Sequence, residues 1–182
     1  MRLQTTPRIT PFLWFDTQAE EAARFYVSLF ENSKVLAIAR YGEGGMGSVG
    51  SVMTVDFQLA GQRFVALNGG PTFKFTEAVS FVVNCKDQKE IDYFWAKLGD
   101  GGRDIECGWL KDRYGLSWQV VPTALWKMVT DPDPARSARV MRALLQMKKL
   151  DLATLEAAYG PEPKRAAKKK PAAKRGAKRR TR

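Results

Sequence analysis

The chain has 182 residues, 45% of them apolar or aromatic, and a formal charge of +11. It contains no histidine, which excludes a Ser-His-Asp or Cys-His apparatus, a His-ligated zinc and an imidazole general base. Two cysteines make no disulfide framework, no apolar run reaches the ~20 residues that cross a bilayer, and MRLQTTPRIT carries no signal-peptide stretch, so the chain reads as a cytoplasmic protein with reduced thiols.

The segment ITPFLWF, residues 9–15, predicts a β-strand. Thr17 and Glu20 fit a capping box, and a helix follows to about Phe30 with Ala22, Phe25, Tyr26 and Leu29 on one stripe. Three strand-like runs come next, at 34–41, 49–60 and 62–68, with the Gly-rich turn GEGGMG between the first two and Ala60-Gly61 between the others. The order then repeats. A strand is expected at 78–84, and a helix capped by Asp87, with Glu90 three residues on, runs to about Leu98. Strands at 107–111 and 116–121 flank a turn at 112–115. Phe12 and Phe81, Glu21 and Glu90, Phe25 and Phe94, Tyr26 and Trp95, and Leu29 and Leu98 all match at an offset of 69 residues, which points to a duplicated βαβββ unit.

After Pro122 the pattern turns helical. A short helix is expected at 123–129 and a second at 134–148, entered through Asp133-Pro134, with Val140, Met141, Leu144, Leu145 and Met147 on one face. Asp151 is placed to cap a last helix that Gly160 ends. Residues 161–182 carry eleven Lys and Arg against one Glu, so +10 of the +11 charge sits here. This tail has no side chain able to repay its ordering and is expected to be disordered. The organisation expected is an arm (1–8), a two-repeat domain (9–122), a helical extension (123–160) and the tail (161–182).

The stretches ITPFLWFDTQAEEAARFYVSLF, VDFQLAGQRFVALNGGP, AVSFVVNC, GWLKDRYGLSWQVVP and DPDPARSARVMRALLQMKKLD resemble the PhnB-like, or 3-demethylubiquinone-9 3-methyltransferase-like, group of the glyoxalase/bleomycin-resistance (vicinal oxygen chelate) superfamily. The resemblance implies an α+β fold, paired βαβββ modules forming a cup-shaped mixed sheet, in a homodimer. It also implies metal ligands on the concave face, the last being a Glu shortly after a D-x-x-G turn. Here that turn is Asp112-Arg113-Tyr114-Gly115 and the matching position is Gln119, while the other ligand positions fall near Pro11 and Ala78. Pro and Ala side chains cannot ligate, so the usual metal centre is expected to be missing and no cofactor is expected. The activity implied is open, since the superfamily spans lyases, isomerases, transferases and binding proteins.

Alternation assigns the cup. On the run 49–60, Met53, Val55, Phe57 and Leu59 should meet the helices, and Thr54, Asp56 and Gln58 should line the cup. Trp118 and Val120 should face the helices. Ser80, Val82, Phe64, Asn68, Leu13, Phe15 and Gln119 are placed inside the cup, making an apolar wall with a few polar groups for a small organic molecule. Asp56, enclosed by Phe15 and Phe64, is the candidate general base; the alternative is that it pairs with Arg63 across the hairpin. Cys107 reads as a small buried hydrophobe in preference to a reactive thiol. GEGGMGS precedes a strand and not a helix, which argues against a nucleotide-type cofactor turn.

The tail supports a function of another class. Lys164, Arg165, Lys168, Lys169, Lys170, Lys174, Arg175, Lys178, Arg179, Arg180 and Arg182 are the candidate nucleic-acid-binding residues. They would neutralise the phosphates of DNA or RNA without reading bases, and no interleaved aromatic offers stacking. A dedicated nucleoid-associated role is the alternative to incidental affinity.

Overall fold

The computed structural model describes residues 7–161; the expectations for the first six residues and for the tail cations lie outside them. The first unit runs β1 (Phe12–Phe15), α1 (Ala19–Leu29), β2 (Lys34–Arg40), β3 (Val52–Leu59) and β4 (Gln62–Asn68). The second runs β5 (Ser80–Cys85), α2 (Gln88–Gly99), β6 (Arg103–Asp104), β7 (Trp109–Lys111) and β8 (Ser117–Pro122). Each makes its own four-stranded sheet, ordered β1-β4-β3-β2 and β5-β8-β7-β6. In both, the first strand pairs parallel with the last and the remaining pairs are antiparallel. The two units are therefore one βαβββ topology used twice in an α+β protein.

The helix caps are set locally. Asp87 accepts from the Glu90 amide at 2.9 Å, and the Glu90 carboxylate accepts from the Lys86 amide at 2.8 Å. The first satisfies a donor that the first helical turn leaves free, and the second fixes the residue just before the cap. The expected box at Thr17 does not form. The N-cap of α1 is Gln18 and makes no side-chain cap bond. Instead Asn68, from the end of β4, accepts from the Ala19 amide at 2.7 Å and donates to the Val52 carbonyl at 3.0 Å. Glu20 turns outward to Arg24 at 2.7 Å.

A single core joins the units. Register puts Leu13, Phe15, Val55, Phe57, Phe64 and Ala66 on one face of the first sheet, where all are buried. The second sheet turns Val83, Cys85, Leu110, Trp118 and Val120 inward. Each Val, Leu or Phe among them contributes about 1.5–3 kcal/mol by leaving water. The seam is aromatic: Phe64 meets Phe81 edge-on at 5.2 Å, and Phe30 stacks on Trp118 at 5.9 Å.

At the seam lies Asp112, only 3% exposed. Its carboxylate accepts from the Tyr26 hydroxyl at 2.6 Å, the Trp118 indole N–H at 2.8 Å and the amides of Tyr114 at 2.9 Å and Leu116 at 3.0 Å. Tyr26 belongs to α1, so the turn of the second unit is tied to the helix of the first. Burial pushes the Asp112 carboxyl up against the pull of those bonds.

Three helices follow, α3 (Leu125–Val129), α4 (Pro134–Leu144) and α5 (Leu152–Tyr159). Met128, Val140, Leu150 and Leu155 form a second small cluster. Asp133 and Asp151 cap α4 and α5 as expected. The long apolar face expected over 134–148 is narrower than predicted. Helix α4 ends at Leu144, and Met141 (38%) and Leu145 (59%) are exposed, because only Val140, Leu144 and Met147 keep inward phase. Arg136 lies over the Tyr159 ring at 3.7 Å and donates to the Tyr159 and Gly160 carbonyls at 3.2 Å, neutralising the α5 C-terminus.

Candidate ligand-binding site

The site is built from the sheet faces that the helices leave uncovered. On the first sheet, pairing places Thr54, Asp56, Gln58, Arg63, Val65, Leu67, Phe12 and Trp14 together on that outer face. Phe12 is 59% exposed, and Trp14 meets Phe73 edge-on at 5.0 Å. Asp56 and Arg63 make a bidentate pair, with Arg63 Nε donating at 2.8 Å and a second N–H to the other oxygen. This is the pairing given above as the alternative for Asp56. Gln58 donates to the Asn32 carbonyl at 3.0 Å.

The expected grouping around Asp56 needs correction. Leu13, Phe15, Phe64 and Asn68 lie on the opposite face from Asp56, because Phe64 pairs with Phe57 and Ala66 with Val55. Leu13, Phe15 and Phe64 are core residues, and Asn68 caps α1. Alternation had the phase of β3 correct and that of β1 and β4 inverted. A carboxylate that already accepts a two-pronged guanidinium on an open face is not enclosed by phenyl rings.

On the second sheet the expected phase holds. Ser80, Val82, Gln119, Val121, Ser117, Trp109 and Lys111 share the outer face. Gln119 donates to the Ser80 hydroxyl at 2.9 Å. Ser117 is fully buried, and its hydroxyl has no hydrogen-bond partner among the described residues. Lys111 reaches Glu77 at 2.8 Å, and Arg103 reaches the same Glu77 oxygen at 3.2 Å. Sequence reasoning missed Glu77, which sits between the repeats where no periodicity marks it. It also missed the two-residue strand β6.

The residues do not fit the superfamily's metal. Gln119 uses its amide on Ser80, and Pro11 and Ala78 carry no donor. Among the described residues no three His, Cys, Asp or Glu side chains gather. The thiols are also poor nucleophiles: burial pushes Cys85 up to about 12 and raises Cys107. Cys107 lies outside β7 with φ +61°, and its amide donates to Met147 at 2.7 Å, so the strand expected at 107–111 starts only at Trp109.

Two concavities lie beside the faces. One, of about 560 Å³, lies under the Gly-rich loop and is lined by Asp16, Thr17, Glu20, Tyr41, Ser51 and Asn68 among others. The other, of about 1020 Å³, lies between the end of α1 and the start of α2, with Leu29, Phe30, Val82, Tyr93 and Phe94 on its walls. The Gly-rich loop joins β2 to β3 as a hairpin. It opens no helix, in keeping with its sequence reading. Among the described residues no helix is long and apolar enough to cross a membrane.

Two βαβββ modules with this strand order define a protein of the vicinal oxygen chelate architecture. The family described as 3-demethylubiquinone-9 3-methyltransferase matches residues 7–121, and the chain belongs to that PhnB-like family. It is similar to the PhnB protein from Bacillus cereus, at 39% identity and TM-score 0.59 over 64% of this chain and 99% of that one. A protein from Pseudomonas aeruginosa, 18% identical with TM-score 0.54 over 64% of this chain and 98% of that one, shares the fold. No curated protein matches the chain.

Proposed function

We propose that the protein binds a small organic molecule on the outer sheet faces, as a homodimer in which a second copy helps close the bowl. The observation that carries this reading is the composition of those faces. Phe12, Trp14, Val65 and Leu67 surround one ion pair on the first sheet, and Val82, Trp109 and Val121 flank Ser80 and Gln119 on the second. An apolar wall with few, placed polar groups suits a small ligand. Strands β1 and β5 are both sheet edges, and an edge with unpaired backbone groups favours a partner. The reading needs no metal centre. It gives methyl transfer little support, because the Gly-rich run at 42–47 is a hairpin loop that opens no helix. Native mass spectrometry tests it: a dimer with a co-purifying small molecule is expected, and a bare monomer across the micromolar range would overturn it. Equilibrium dialysis against S-adenosylmethionine tests the family name, and micromolar binding would reverse our view of methyl transfer.

A second reading concerns the tail. Eleven cations within residues 161–182 favour nonspecific affinity for DNA or RNA, independent of the sheets. A gel shift comparing the full chain with one ending at Gly160 tests it, and equal binding by both would end it.

A further inference from the structure

The second sheet carries one polar row across all its strands. Ser80 pairs with Ser117, Ser117 with Lys111, and Lys111 with Arg103. Directly paired residues put their side chains on one face, about 4.5–5.5 Å apart. The row therefore reads hydroxyl, hydroxyl, ammonium, guanidinium. The outer-face residues of this sheet include no acid: they are Ser, Val, Asn, Gln, Trp, Lys and Arg. The one carboxylate on the row, Glu77, comes from the connection between the modules and touches Lys111 and Arg103 with a single oxygen.

Two further observations point to an incoming oxyanion. The Ser117 hydroxyl is buried and has no partner among the described residues. Such a group has lost its hydration without replacement, and a hydrogen bond donated to a ligand oxygen would restore it. Glu77 itself is 46% exposed in its side chain, so it occupies the cations from the solvent side and can swing away. The hydrogen bond from Lys111 holds its carboxyl below the ordinary range, so it is ionised at neutral pH.

We propose that this row is the oxyanion subsite of the ligand face: Ser117, Lys111 and Arg103 bind the carboxylate or phosphoryl end of a small organic anion, and Glu77 holds that place in the free protein. The inference rests on the ligand-binding reading above and assigns the chemical class of the ligand. Lys and Arg suit this task as a point charge and a fork. Trp109, one row along beside Gln119, gives the organic part of the anion an apolar wall.

The test is a backbone amide NMR titration of the full chain with inorganic phosphate and, separately, benzoate; it reports the sheet apart from the cationic tail. Shifts of the Ser117, Lys111 and Arg103 amides are expected with both probes. Glu77→Gln should tighten binding at least fivefold and Lys111→Met should weaken it by as much. Ser117→Ala should also weaken it, while leaving the fold intact because it removes an orphan hydroxyl. Shifts confined to the tail, or an unchanged dissociation constant in Glu77→Gln, would overturn the proposal. A neutral co-purifying ligand indifferent to Glu77→Gln and Lys111→Met would end this inference and keep the small-molecule reading. Phosphate without benzoate binding would restrict the class to phosphoryl compounds.

Discussion

Replacing Asp112 by Ala removes the acceptor for four donors at once. Two of them, the Tyr26 hydroxyl and the Trp118 indole, belong to side chains 0% and 3% exposed, so water cannot replace the lost bonds without entering the core. At about 1–3 kcal/mol for each buried donor left unpaired, the side-chain pair alone costs about 2–6 kcal/mol. That is a large share of the 5–15 kcal/mol typical of a domain. Asp112→Asn keeps the volume and one acceptor oxygen, but its amide must face donors, so a loss of about 2 kcal/mol is expected. Tyr26→Phe removes a donor together with its need and should cost less than Asp112→Ala. The assay is urea unfolding followed by tryptophan fluorescence, comparing midpoints at constant slope. An Asp112→Ala variant within about 0.5 kcal/mol of the parent would refute the claim that this carboxylate clamps the modules together.

Asp56→Ala should change stability by under about 1 kcal/mol, since its partner Arg63 is part-exposed and can return to water; chemical denaturation checks this. Gly102→Ala should destabilise strongly, by more than about 2 kcal/mol, because a Cβ would meet the Lys111 carbonyl at 2.0 Å with no side chain to yield; thermal melting reads it. Glu90, Asp92, Asp131 and Asp151 all have carboxyls held below their ordinary values, chiefly by hydrogen bonds from Lys86, Lys149, Tyr159 and Thr154 respectively. A lowered carboxyl stabilises above its unfolded pKa and loses that contribution as pH falls through the folded one, so stability should drop progressively below about pH 4. Asp112, raised by burial, runs the other way and is outnumbered. A flat denaturation midpoint from pH 6 to pH 3 would contradict this. If about eight tail charges engage DNA, log K should fall against log salt with a slope near −7, and a slope near zero would rule out phosphate neutralisation.

Much of the fold was legible because local chemistry and global topology agree. Asp87, Asp133 and Asp151 announce their helices and cap them. The offset of 69 holds on the helices, where Ala22 and Ile91 are both fully buried. It fails on the strands. Phe12 faces solvent, while its match Phe81 packs into the core, so that pair was coincidence. A one-residue slip of this kind inverts every side chain on a strand, and short runs such as FLWF are apolar on both faces and cannot fix their own phase. The same ambiguity misplaced Leu13, Phe15 and Phe64. Asn68 is misplaced with them, and its true partners, Ala19 and Val52, are set by tertiary packing that no window contains. Glu77 and the Ser80–Ser117–Lys111–Arg103 row depend on strand register, which becomes visible only once the sheet is assembled.

The aromatic seam bears on how such a repeat could arise. The halves share a strand order but not an independent interior: Tyr26 of the first finds its acceptor in the second, and Phe30 stacks on Trp118 rather than on its own strands. A lone first half would leave the Tyr26 phenol without its acceptor, while the second would keep its Trp118–Asp112 bond and lose the rings that cover it. Each half supplies only one side of that seam, so the apposition of two copies belongs to the fold as much as the strand order does.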